Sequence, residues 1–227
     1  MQYTLFACCM AGDDEIVINN KTLSEQTYIE LSRMIMNRIF SPGEKITEEQ
    51  IAKTLGVSRT TVKKAFTALV QEGILEDIPR RGVFLRTYTK EERLEIYDIR
   101  EVTAGLSARY AALNMARRDL NSLEAIYQQM DIAVKKQAND TYAHYDLELH
   151  DSIARFSGSS ILYDVISNLN LRLMPFILVN SVQNIRETLK EHRDILDSLK
   201  NGDSEGAEKY MRFHIGRAKE KLFRNTD

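Results

Sequence analysis

Four histidines occur in the chain, and three of them stand at spacings that could hold a metal ion. Asp146 and His150 are four residues apart in a stretch of helical period, so their side chains leave one face a turn apart. His192 lies 10 residues before Gly202 and His214 12 residues after it. If Gly202 joins two antiparallel helices, a rise of about 1.5 Å per residue puts the two imidazoles about 15 and 18 Å from the turn, at a similar level. Three neutral imidazoles and one carboxylate suit Zn²⁺, Ni²⁺ or a similar ion, and the single carboxylate leaves positive charge that would attract an anion. The spacing alone fits three buried, hydrogen-bonded histidines equally well. His144 is two positions from Asp146, on another face, and reads as a packing or surface histidine.

A second group of residues is contiguous and suits nucleic acid. Ser58, Arg59, Thr60, Thr61 and Lys63 open a helix of which Val62, Phe66 and Leu69 form the apolar stripe. Short hydroxyls and cations at a helix N-terminus suit phosphate oxygens and major-groove base edges. Just before it, Ala52 is small where two helices would cross, Gly56 permits the sharp turn, and Val57 plugs the angle between them. This is the grammar of a helix-turn-helix. Residues 74–78 and 83–85 read as two short strands around Pro79-Arg80-Arg81-Gly82. Such a hairpin would present Arg80 and Arg81, and the bare backbone of Gly82 could approach a phosphate closely.

The elements that must position these residues are mostly helical. Only 10 Gly and 3 Pro punctuate 227 residues, too few for a turn-rich β-sandwich. Helical spacing runs over residues 27–40, ended by Ser41-Pro42-Gly43, and over 48–55 and 58–72. Beyond Thr89 it predicts helices over 90–115, 119–138, 141–156, 160–175 or slightly beyond, 182–200 and 203–223, with Asp119 and Asp203 at N-cap positions. Three divisions follow: an N-terminal arm over 1–22, a winged helix-turn-helix over 23–88, and an all-helical domain over 89–227 for metal or effector binding and dimerisation. Charge follows the same division. Residues 21–89 carry 11 Lys+Arg against 8 Asp+Glu, in a chain whose net charge is −2. One basic face is therefore expected, not a wholly basic coat. Cys8 and Cys9 are neighbours and cannot staple a fold, and no apolar run reaches membrane-spanning length, so a cytoplasmic protein is expected.

Ser41-Pro42-Gly43-Glu44-Lys45-Ile46-Thr47-Glu48, Leu55-Gly56-Val57-Ser58-Arg59-Thr60-Thr61-Val62, Glu72-Gly73-Ile74-Leu75 and Arg81-Gly82-Val83-Phe84 together resemble the winged-helix domain of GntR-family transcription regulators. The resemblance covers about residues 25–87. It implies DNA contacts from Arg59, Thr60, Thr61 and Lys63 and from the wing around Arg81 and Gly82. The chain departs from the family in having Lys63-Lys64 where Arg-Glu is frequent.

Downstream, Tyr145-Asp146-Leu147-Glu148-Leu149-His150-Asp151-Ser152, Glu191-His192-Arg193-Asp194-Ile195-Leu196 and Met211-Arg212-Phe213-His214 are similar to the all-helical FCD effector domain of the FadR subfamily. About 138 residues follow Thr89, which fits its six-helix, VanR-like branch. The resemblance implies that Asp146, His150, His192 and His214 are metal ligands and that a carboxylate effector completes the coordination. Arg100 matches an arginine that the family carries on its first effector-domain helix, where it would salt-bridge the effector carboxylate. Four positions on, Ala104 stands where the family often has Glu.

The expected function is a ligand-responsive transcription regulator, a repressor in the leading reading and not an enzyme. It would act as a homodimer on a pseudo-palindromic double-stranded DNA operator, with Zn or Ni as cofactor and no membrane association. Two alternatives are a regulator that senses the metal ion itself and, less favoured, a metal-dependent hydrolase.

Overall fold

The computed structural model describes residues 21–177 and 185–224. The expected N-terminal arm (but for residues 21 and 22) and the first three residues of the helix expected over 182–200 lie outside the described residues. The chain divides between Tyr88 and Thr89 into two compact units.

The first unit contains α1 (Leu23–Met36), α2 (Glu48–Leu55), α3 (Arg59–Gln71) and a hairpin of β1 (Leu75–Ile78) and β2 (Gly82–Leu85). Helix α1 begins four residues before the periodicity suggests, because Thr22 and Glu25 form a reciprocal cap. Glu25 N–H donates to Thr22 Oγ1 at 3.2 Å, and Thr22 N–H donates to Glu25 Oε2 at 2.7 Å. It also ends before Phe40. Arg38 turns left-handed (φ 56°) and Ile39 N–H closes onto Met34 O at 3.0 Å, so Phe40 enters the core from a loop. Thr47 caps α2, and Gly56 ends it at φ 67°, a conformation that costs glycine nothing. Leu31, Ile35, Ile51, Val62, Leu69, Ile74 and Leu75 close the core of this unit.

The strands pair antiparallel with Leu75 opposite Leu85 and Ile78 opposite Gly82. A third segment, absent from the sequence-based expectation, joins the edge of β2. Ile46 N–H donates to Val83 O and Leu85 N–H to Glu44 O, both at 2.9 Å. The wing is thereby tied to the loop that follows α1.

In the second unit, the described residues form α4 (Lys90–Asn114), α5 (Arg117–Lys135), α6 (Asn139–Phe156), α7 (Ser160–Ile177), α8 (Ile185–Lys200) and α9 (Ser204–Arg224). Asp119 does not occupy the N-cap of α5. It is the third residue of the helix and reaches back, its Oδ2 accepting from Ala116 N–H at 2.9 Å. Asp203 does cap α9, accepting from Gly206 N–H at 2.9 Å. Helices α4 and α9 run along each other at close range. A Cβ on Gly105 would stand 2.4 Å from Arg212 Cγ, so only glycine permits this approach. Helix α4 also packs on α6 and α7, and α5 on α6 and α8. The core between them is aliphatic: Leu123, Met130, Leu149, Ile153, Leu173, Ile195, Leu199 and Ile215. No described helix is long and apolar enough to cross a membrane.

Candidate metal centre and nucleic-acid interface

Helix α6 carries Asp146 and His150, α8 carries His192, and α9 carries His214. One ligand atom from each of the four lies within 4.8 Å of the others. The three imidazoles are buried and Asp146 is partly so. His150 Nε2 is 3.0 Å from His214 Nε2 and 3.4 Å from His192 Nε2, and His192 Nε2 is 3.1 Å from Asp146 Oδ1. At a metal–nitrogen bond of about 2.05 Å, neighbouring donors are about 2.9 Å apart at right angles and about 3.3 Å apart at the tetrahedral angle. The observed separations fall in that range, so the residues present fit a transition-metal ion.

The rings are aimed by their outer nitrogens. His214 Nδ1 meets Glu191 Oε2 at 2.8 Å, and His192 Nδ1 lies 3.4 Å from the Tyr142 hydroxyl. Glu191 is steadied in turn by Arg217, whose Nη1 is 2.8 Å from its Oε1. A carboxylate behind an imidazole fixes its tautomer and raises its basicity as a ligand. Burial pushes His150 well below the ordinary histidine range, and the fields of His214, His192 and Arg100 add to this against the opposing attraction of Asp146. Burial likewise lowers His214. Both are therefore neutral at pH 7, the form that donates a lone pair. Burial acts to raise Asp146, but its hydrogen bond to His192 and the fields of the three histidines hold it well below the usual carboxylate range.

A cavity of about 10 Å³ adjoins His150 and is also lined by Arg100, Ala104, Ser107, Asn170 and Met211. Arg100 is buried, and its Nε donates to Asn170 Oδ1 at 2.9 Å. Burial lowers the pKa of its guanidinium from 12.5, yet at neutral pH it keeps its charge. The structure thus brings Arg100 to the same small space as one member of the histidine cluster. His144, in contrast, is exposed and rests against Tyr145.

Sequence reasoning did not single out Glu191, Tyr142, Asn170 or Ser107. One signal was available for part of the outer ring. Arg217 follows His214 by three residues, so the two share a helix face, and Glu191 immediately precedes His192.

In the first unit Arg59, Thr60, Lys63 and Lys64 are exposed on α3, a helix with no acidic residue in its sequence. Thr61 is half-buried. Ser58 caps the helix, its Oγ 3.1 Å from Thr61 N and 2.8 Å from Thr61 Oγ1. Arg59 Nε approaches Glu48 at 4.0 Å, and its side chain remains mostly exposed. At the hairpin tip Arg80 adopts φ 65° and Gly82 φ 104°, and Arg81 N–H closes the turn onto Ile78 O at 2.9 Å. Arg80 and Arg81 are exposed, with the Arg81 guanidinium 5.5 Å from the Phe84 ring centroid. A Cβ on Gly82 would meet Lys45 Cε at 3.0 Å.

Comparison with known proteins finds that residues 23–85 match the gntR family of bacterial regulatory proteins and residues 95–217 match the FCD domain. YdhC of Bacillus subtilis (strain 168), named as an uncharacterized HTH-type transcriptional regulator, is 29% identical over 193 residues, 84% of this chain and 86% of that protein. The HTH-type transcriptional repressor RspR of Escherichia coli (strain K12) is 25% identical over 198 residues, 85% and 86% of the two chains. A gluconate operon transcriptional repressor of Bacillus licheniformis is 26% identical over 171 residues, 74% and 69% of the two chains. The solved structure of E. coli McbR/YncC shares the fold, with a TM-score of 0.83 over 91% of this chain and 100% of that one, at 22% identity.

Proposed function

The chain belongs to the gntR family of bacterial regulatory proteins, in a form carrying an FCD domain, and we propose that this DNA-binding transcriptional regulator is a repressor controlled by a small carboxylate bound at a metal centre. The convergence of three imidazole Nε2 atoms and one carboxylate in a buried pocket carries the reading. Asp146, His150, His192 and His214 would hold a divalent ion, with Zn or Ni matching the donor set. Such an ion supplies a Lewis-acidic charge that a carboxylate can neutralise. Arg100, desolvated beside His150, would bind a second oxygen of that carboxylate through a charge-assisted hydrogen bond. The names of RspR and of the gluconate operon relative support repression.

On the DNA side, Arg59, Thr60, Thr61 and Lys63 would meet the major groove, and Arg80, Arg81 and the backbone at Gly82 would meet the flanking backbone or minor groove. Ser58 would serve mainly by capping the helix that presents them. Family members of this type act as dimers on operators, and a homodimer on a pseudo-palindrome is the assembly proposed here. Effector binding would favour one of two arrangements of the helices bearing His192, His214 and Arg100, and so change operator affinity.

The test is fluorescence anisotropy on an operator mapped by footprinting. It is run on protein of measured metal content, with and without chelator, against a panel of small carboxylates. Metal at one equivalent per chain, with release from DNA by a carboxylate only when metal is present, is the expected result. Release by metal alone would make the ion the signal. A protein that binds no Zn²⁺ or Ni²⁺ at micromolar concentration would falsify the metal reading and leave the DNA-binding assignment intact.

A further inference from the structure

Ser107 lies on α4 two turns after Arg100, on the same face, with Ala104 between them. Its side chain is 1% exposed, and its Oγ hydrogen-bonds nothing among the described residues. A buried helical serine ordinarily satisfies its hydroxyl on the carbonyl one turn back. This one lines the small cavity shared by His150, Arg100 and Asn170. Asn170 spends its Oδ1 on Arg100, which leaves its amide hydrogens as donors at the same cavity. A cation, an amide donor and an unsatisfied hydroxyl thus converge beside one histidine of the cluster.

An unpaired hydroxyl held in such a place is costly unless something fills it. The cavity of about 10 Å³ has room for one water-sized group. A group there must accept from or donate to Ser107 while its neighbour lies against Arg100 and the metal ligands. Resting on the carboxylate reading above, we infer that Ser107 is a specificity-determining residue and that the effector is a 2-hydroxy carboxylate. The carboxylate faces Arg100 and the metal site, and the hydroxyl on the adjacent carbon exchanges a hydrogen bond with Ser107 Oγ. A site built to pair a ligand hydroxyl rejects the analogue lacking it, because its own polar group is then left alone.

The experiment is isothermal titration of the full-length, Zn²⁺-loaded protein with matched acids: glycolate against acetate, each lactate enantiomer against propionate, and each malate enantiomer against succinate. In at least one pair the hydroxy acid should bind roughly 10- to 100-fold more tightly. Ser107→Ala should shrink that preference to within about threefold while raising the ligand-free melting temperature by about 2–4 °C, since it removes an unsatisfied buried hydroxyl. A residue important only for packing would not give these opposite signs. Equal affinities within every pair overturn the inference and leave the carboxylate-on-metal reading standing. So does a preference that survives Ser107→Ala unchanged, which would place discrimination at the metal alone. If Zn²⁺ binds but no acid of either kind does, both the inference and the carboxylate reading fall, and the metal site remains.

Discussion

The two units assemble their candidate sites in opposite ways. In the first, the residues facing solvent come from two short runs, 58–63 and 80–82, and nearly all are exposed. In the second, the four candidate ligands come from three helices spanning residues 146 to 214, and their imidazoles are buried. A surface built locally can lose a side chain without disturbing the fold. A buried cluster cannot, because its members are also core residues. Each site should therefore fail differently when mutated: the first in affinity alone, the second in affinity and stability together.

The largest effect should come from His192→Ala. His192 has no exposed surface, and its Nε2 touches both Asp146 and His150. Its loss should cut Zn²⁺ affinity by more than the roughly 10- to 100-fold that an outer-shell partner is worth. Because a bound ligand stabilises the native state, about 2.7 kcal/mol at 100 times its Kd, the variant should no longer show the melting shift that metal gives the parent. Competition with a chromophoric chelator and a thermal melt with and without Zn²⁺ measure both. Undiminished metal affinity would dissolve the contrast between the units, for the cluster would then be a hydrogen-bonded core.

A subtler probe of the same contrast is Glu191→Gln. The carboxylate touches His214 Nδ1, not the converging Nε2 atoms, so its role in the cluster is to aim the ring. The expected outcome is a metal affinity lower by about 10-fold or somewhat more, with stoichiometry unchanged. Arg217 loses part of its partner set in this variant, but it keeps Glu187 at 2.8 Å. If the Glu191→Gln variant binds Zn²⁺ as tightly as the parent, packing alone orients His214.

The same local–global divide decides what is legible in the sequence. Ser58 and Gly56 announce a helix start and stop because their effects act within three or four residues. The Asp146–His150 pair is visible for the same reason, since one helical turn fixes it. The reach of α1 is not legible, because the left-handed Arg38 is set by closure of the helix end, which periodicity does not register. Pairing of Glu44 and Ile46 with β2 is hidden because that segment carries no strand-like alternation. Glu191, Tyr142, Asn170 and Ser107 gain meaning only when α4, α6, α7, α8 and α9 come together, so nothing in their own neighbourhoods marks them.

On the exposed side, Lys63→Ala should leave the melting temperature within experimental scatter, because the side chain is solvated on α3. If Lys63 meets a phosphate, affinity should fall by a similar factor on all sequences. The slope of log K against log salt should become shallower by about 0.9 for each half-site lost. Anisotropy titrations at three or more salt concentrations provide the slope. A loss confined to one operator position would instead assign Lys63 to base readout, and no loss at all would remove it from the interface.

Ser58 tests where the contrast is least sharp, since its hydroxyl both caps α3 and sits among the candidate DNA contacts. The Oγ accepts from Thr61 N–H at 3.1 Å, so Ser58→Ala should cost about 1 kcal/mol of stability, within the usual range of 0.5–2. Aspartate is as good a cap as serine, so Ser58→Asp should preserve stability to within a few tenths of a kcal/mol. It nevertheless places a negative charge beside Arg59 at the helix end proposed to face phosphate, and operator affinity should drop. Stability and affinity thus separate in the two variants: Ala weakens mainly the fold, Asp mainly the complex. If Asp leaves operator affinity untouched, the N-terminus of α3 does not approach the DNA backbone, and the exposed arginines of the hairpin become the principal candidates for that contact.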